Sequence, residues 1–263
     1  MSSTITVLVL VVVAFPVLMY LMQDSLLFHP QPLNEVQRNA IAARFAGVEE
    51  IVLQADGARL HAWHVKGQPA KPLVIYFGGN AEDVSWMIES ARSRAPGVGW
   101  LLVSYRGYGG SDGAPSEEAI SADALRWYDH AVKDLGATKV IAFGRSLGSG
   151  AAVFLASQRK VDAVVLVTPF DSLVEVAKHH YPYLPVSLML RHRFDSAQLA
   201  PKLAMPLLCI AAERDNVIPA AHARRLYEAW GGPRQWLLLA GAGHNSTDGA
   251  AAFWPGIAVF LEQ

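Results

Sequence analysis

Ser146 sits between two glycines in Gly144-Arg145-Ser146-Leu147-Gly148, directly after the apolar stretch "KVIAF" and before the helix-like "LGSGAAVFLAS". Glycines two residues either side of a serine let a strand and the following helix approach closely around a strained turn, which presents the hydroxyl. A serine hydroxyl is a poor nucleophile at neutral pH and needs a base, which in turn needs an orienting acid. Asp215 follows the run "PLLCIAAER", and His244 follows "RQWLLLAGAG" in a glycine-rich turn. Alone, the aspartate would read as a turn or capping residue and the histidine as a loop residue. Together, in the order serine, acid, histidine and each at a strand end, they read as nucleophile, acid and base. Glu213 is the nearest rival acid, but it lies closer to the strand body.

The tetrahedral intermediate of acyl transfer also needs hydrogen-bond donors for its oxyanion. The backbone N–H of Leu147, at the start of a helix, is one. The second is assigned to the backbone N–H of Asn80 in "GGNA", the loop after "PLVIYF", with Gly79 as the fallback. A phosphate-binding loop is excluded because no Gly-Lys-Ser/Thr follows the glycines. "GYGGSDG" at 107 to 113 does not have the spacing of a dinucleotide fingerprint either.

The elements that must position these groups are short. "VEEIVLQA" and "ARLHAWHVK" flank Asp56-Gly57, a hairpin signal. Near-continuous β-rich runs follow, each of the kind buried on both faces of a sheet: "PLVIYFGG", "GWLLVSYRG", "KVIAFG", "VDAVVLVTP", "PLLCIAAE" and "RQWLLLAG". Between them helices are predicted at Val84 to Ala95, Ser116 to Leu135, Leu147 to Gln158, Pro219 to Trp230 and Thr247 to Leu261. A leading hairpin followed by β-α repeats predicts an α/β fold with a mostly parallel central sheet flanked by helices. Asp171 to Ala204 breaks the rhythm and is read either as a small cap or as a crossover helix with a long loop.

The chain has 263 residues, 52% hydrophobic and 17% charged, which suits one large core. A formal net charge of -1 offers no footprint for nucleic acid. The nine histidines and the single Cys209 show no metal-ligand spacing, so neither metal nor other cofactor is expected, and one cysteine permits no internal disulfide. Ile5 to Met22 carries no charge, and at the helical rise it approaches the thickness of a bilayer's hydrocarbon. Its flanks lack the basic start and small-residue cleavage site of a signal peptide. The expected layout is a single-pass membrane anchor over 1–23, a connector over 24–47 and a catalytic domain over 48–263. The first basic residue is Arg38, so flanking charge does not define which side of the membrane the domain occupies.

With these residues in place, the chain resembles the alpha/beta-hydrolase superfamily, and more narrowly its N-terminally membrane-anchored serine hydrolases. The resemblance rests on the apolar N-terminus, "SLLFHP" at 25 to 30, "RGYGGSDGAPSE" from Arg106 and the insertion before the acid. It implies the alpha/beta-hydrolase fold, with Ser146 as nucleophile, Asp215 as acid and His244 as base. Two positions depart from the family pattern. Gly78-Gly79 stands where His-Gly is usual, and Ser104 stands where the strand before "RGYG" usually ends in Asp.

The expected activity is hydrolysis of carboxylic esters or thioesters through an acyl-enzyme. The expected substrates are small-molecule or lipid-like esters, or an acylated protein, and the membrane is a partner through the N-terminal segment. A serine peptidase or amidase is the alternative among enzymes; a non-catalytic binding protein on the same fold is the alternative outside them. Tyr181, Tyr183, Leu184, Leu188 and Met189 of the excursion would either receive an acyl chain or pack as core beneath a loop, and packing is the reading adopted.

Overall fold

Two segments of opposite character open the chain. In the computed structural model, which describes residues 14–262, helix α1 (Phe15–Leu27) carries an apolar surface, and Pro16 sits in its first turn, where a missing N–H removes no helical bond. Helix α2 (Glu35–Arg44) is polar, and begins with a capping box in which Asn34 and Gln37 exchange side-chain and backbone hydrogen bonds. The expected boundary at residue 23 therefore falls inside α1, and the connector contains the end of one helix and the whole of another.

The hairpin forms as its turn predicts: β1 (Val48–Ala55) and β2 (Ala58–Val65) pair antiparallel around Asp56 and Gly57, both at positive φ. Next come β3 (Leu73–Phe77), α3 (Met87–Arg94), β4 (Gly99–Val103), α4 (Glu117–Lys133), β5 (Val140–Arg145) and α5 (Leu147–Gln158). After β6 (Ala163–Val167) the excursion holds three short helices, α6 (Leu173–His180), α7 (Val186–Met189) and α8 (Ser196–Leu199). The chain closes with β7 (Leu207–Ala212), α9 (Ala220–Ala229), β8 (Arg234–Leu239) and α10 (Phe253–Leu261).

Among the described residues, eight strands form one sheet in the order β1-β2-β4-β3-β5-β6-β7-β8. The pairings of β2 with β1 and β4 are antiparallel, and all later neighbours are parallel. Two apolar cores form, one on each face, and β3 to β7 are almost wholly buried. That double burial is why those runs read as continuous apolar blocks. β8 is the exception, because an edge strand leaves one flank to solvent. Two helices also differ from expectation. The first turn at Val84–Trp86 is 3-10, and the last helix starts only at Phe253, since 247 to 252 form turns and bends.

The excursion closes against α1. The Gln23 amide donates to the carbonyl of Met189 at 3.2 Å and accepts from the Arg191 N–H at 2.8 Å, and the Asp24 carboxylate meets Arg191 and His192, each at 2.8 Å. Gln23 is the buried residue of a helix that exposes Phe15, Leu18 and Leu21. Among the described residues no helix is long and apolar enough to cross a membrane. Residues 5 to 13 of the expected anchor lie outside the described range.

Candidate active site

The turn from β5 into α5 puts Ser146 at φ 51° and ψ −117°, a left-handed backbone that a side chain adopts only under constraint. Two close approaches supply the constraint. A Cβ at Gly144 would stand 2.3 Å from the carbonyl oxygen of Gly148, and one at Gly148 would stand 2.1 Å from that of Phe77. Both glycines are thus required by packing, and the Ser146 N–H, donated to the Val167 carbonyl at 2.9 Å, ties the turn to β6.

The three residues paired by order meet in space. His244 Nε2 lies 3.0 Å from Ser146 Oγ, and His244 Nδ1 lies 2.7 Å from Asp215 Oδ2. Asp215 is buried, and its other oxygen accepts the N–H groups of Val217 and Ile218 at 2.9 and 2.7 Å, which fixes the carboxylate plane. Glu213 does not join them. Its carboxylate accepts from the Gly241 N–H at 2.7 Å and so braces the turn that presents His244. A hydroxyl, imidazole and carboxylate in this relay can move the serine proton to the imidazole while the carboxylate holds its tautomer.

The loop after β3 lies beside the serine: a Cβ at Gly79 would be 3.6 Å from that of Ser146. The Gly79 N–H is engaged, because it donates to Glu82 Oε2 at 2.6 Å. Among the described residues the N–H of Asn80 has no acceptor, and Leu147 is the first residue of α5, where N–H groups lack helical partners. Of the two N–H groups, that of Gly79 is therefore the one already engaged.

Glu82 escaped the sequence reading. Besides Gly79 it accepts from the Tyr76 hydroxyl at 2.6 Å and the Trp86 indole at 2.8 Å, with the Arg145 guanidinium 3.9 Å away. It holds the loop where a histidine is usual at position 78; an acid three residues after the paired glycines was its only signal. Ser104 donates no bond to the loop either. Instead Tyr105, just beyond it, donates its hydroxyl to the Gly78 carbonyl at 2.7 Å.

A cleft of about 300 Å³ opens over the serine, lined by Gly79 to Glu82, Arg145, Val217, His244 and Asn245. A second, apolar groove of about 220 Å³ runs between α1 and the excursion, past Leu26, Leu27, Tyr181, Leu184 and Met189. The excursion residues therefore separate. Tyr181, Leu184 and Met189 face this groove, whereas Tyr183 and Leu188 are 97% and 88% exposed. Among the described residues no three metal-ligating side chains converge. Burial raises the thiol pKa of Cys209 in β7, far from a nucleophile's needs.

A profile of the alpha/beta hydrolase fold matches residues 72–194. An uncharacterized protein of Mycobacterium tuberculosis is 38% identical over 210 residues, covering 77% of this chain and 74% of its own. The lysophosphatidylserine lipase ABHD12 of Danio rerio is 30% identical over 191 residues, covering 63% of this chain and 49% of the lipase. Among solved structures, an alpha-beta hydrolase from Vibrio vulnificus superposes with a TM-score of 0.69 at 20% identity, covering 87% of each chain. The protein belongs to the alpha/beta-hydrolase superfamily and is of the hydrolase class.

Proposed function

We propose that the protein is a serine hydrolase that cleaves carboxylic esters or thioesters through an acyl-enzyme. The observation that carries this is the Ser146–His244–Asp215 relay, with its 3.0 and 2.7 Å separations. Ser146 Oγ attacks the carbonyl carbon and its proton passes to His244 Nε2. The resulting oxyanion rests on the N–H groups of Leu147 and Asn80. His244 then returns the proton to the departing alcohol or thiol. In the second half, water gives a proton to His244 and its oxygen to the acyl carbon; the acyl–Oγ bond then breaks, and His244 returns the proton to Ser146 Oγ as the acid leaves.

Lipid-like esters are the substrates supported best. The apolar groove lined by Leu27, whose carbonyl bonds the cleft residue Asn80, offers an acyl chain a surface, and a lipase stands among the relatives. A single-pass anchor formed by Ile5 to Met22 would hold the domain at its substrate's source, and the apolar outer surface of α1 supports that placement. Labelling by a fluorophosphonate probe tests the reading. Wild-type protein is expected to be modified at Ser146 and Ser146→Ala not at all, with esterase kcat reduced on the order of 10⁶-fold. Retention of more than a few per cent of activity by Ser146→Ala overturns it.

A further inference from the structure

The motif "SLLFHP" has no part in the relay, yet the structure gives it partners at the site. The Asn80 side-chain amide donates to the Leu27 carbonyl at 2.5 Å, and its oxygen accepts from the His29 N–H at 2.9 Å. The same oxygen accepts the Tyr108 hydroxyl at 2.7 Å and the Ala81 N–H at 3.1 Å. With donors on one side of the amide and a carbonyl on the other, its orientation is determined. Phe28 between the two contacts is buried, edge-on to the His192 ring of the excursion at 5.0 Å. Beyond His29 the segment is laced to the "RGYG" loop: the Leu33 N–H donates to the Gly109 carbonyl at 2.7 Å, and the Gly109 N–H to the Gln31 carbonyl at 2.9 Å.

Three consecutive residues of the oxyanion loop are thereby fixed from three directions. Tyr105 holds the Gly78 carbonyl, Glu82 holds the Gly79 N–H, and Leu27, His29 and Tyr108 hold the Asn80 side chain. Asn80 lines the cleft, and among the described residues its N–H has no acceptor. Ala81 follows at φ 57°, a turn that the Asn80 oxygen stabilises through its N–H. Burial pushes the Tyr108 phenol up to about 12 and raises the Tyr105 phenol well above its ordinary value, so both remain donors across the neutral range.

We propose that Leu27 to His29 form a strap that positions the oxyanion donor, acting through the Asn80 side chain. Its residues touch no reacting atom; they are positioning residues. The inference rests on the reading of Ser146 as nucleophile. An oxyanion donor acts only when held within a fraction of an ångström, so a loosened strap weakens the transition state more than the bound ester. α1 ends in this strap, so its docking on the excursion and the geometry of the oxyanion loop become one mechanical unit.

A double-mutant cycle in the full-length protein tests this. Asn80→Ala, which keeps the backbone N–H, is expected to lower kcat about 10- to 100-fold, with KM within about twofold. Phe28→Ala, which unseats the strap without lining the cleft, is expected to lower kcat about 3- to 10-fold. The double variant should be no worse than Asn80→Ala, since both act through one contact. The affinity for a trifluoromethyl ketone, whose adduct carries an oxyanion, should fall in step with kcat/KM. Asp129→Ala, which removes a surface ion pair with Arg159 away from the strap and the cleft, should lower stability slightly but leave these ratios unchanged. If Phe28→Ala does not fold, Tyr108→Phe serves in its place, with the same pattern expected. Multiplicative losses in the double variant, or unchanged kcat with the strap variants, overturn the strap. Should Ser146→Ala stay active, the nucleophile assignment fails instead, so the two failures are told apart.

Discussion

Glu82 and Gly79 are joined by a 2.6 Å hydrogen bond from a backbone N–H to a carboxylate, three residues apart in one turn. The same carboxylate accepts from Tyr76 and Trp86, which makes it the hub of the loop facing Ser146. Glu82→Ala would leave those donors without an acceptor, two of them on large buried or half-buried rings. The expected cost is about 3 kcal/mol of stability, with a lower kcat as Gly79 and Asn80 drift. Chemical denaturation and steady-state kinetics together check it. A variant as stable and active as wild type would remove Glu82 from the brace.

Gly148 meets the loop after β3 from the other side. A Cβ there stands 2.1 Å from the Phe77 carbonyl oxygen, on the backbone that leads straight into Gly78 and Asn80. Gly148→Ala must therefore push β3 and α5 apart. A loss of about 3 kcal/mol or more is expected, of the order seen for overpacking and backbone strain, and kcat should fall with it. Thermal unfolding at matched concentration measures the first, and ester turnover the second. Unchanged Tm would mean that the elbow tolerates more space than its geometry allows.

His61 makes stability depend on pH. Burial in β2 lowers its pKa to about 4, against 6.5 for the free side chain, so the folded protein keeps it neutral where the unfolded chain protonates it. Between those values the unfolded state binds more protons, so this contribution is fully present above about 6.5. It is lost as pH falls toward about 4, and totals about 3 kcal/mol. His61→Gln should flatten that part of the curve relative to wild type. Urea midpoints at pH 7.5 and 4.5 for both proteins test this; parallel curves would contradict it.

The N-terminal run leads to an expectation about fractionation and one about truncation. Full-length protein should stay in the membrane pellet through alkaline carbonate and high salt, because apolar burial rather than ion pairing holds it. Val12→Asp should weaken insertion by about 2.5–3.5 kcal/mol. Removing residues 1–13 leaves Gln23 and Asp24 on the excursion, whereas removing 1–24 takes both away. Only the longer truncation should lower Tm. Equal Tm values would show that α1 contributes nothing to the excursion's hold, and a mature N-terminus after residue 22 would make the run a signal peptide.

The sequence by itself determined the elbow, the order of strands along the chain and the candidate serine, acid and histidine. Those features are local: Gly144 and Gly148 mark a tight turn, and double burial turns each inner strand into an apolar run. Asp215 and His244 were legible because each follows such a run directly. Tertiary structure alone decided that Glu213 braces a turn rather than orients the imidazole, since both acids follow the same strand and only side-chain direction separates them. It also decided that Tyr181 and Leu184 line a groove while Tyr183, between them in sequence, meets solvent. The link from Asn80 to Leu27 spans 53 residues and depends on how α1 docks on the excursion. No periodicity or spacing encodes such a contact, because it arises only when distant elements pack and their polar atoms must find partners.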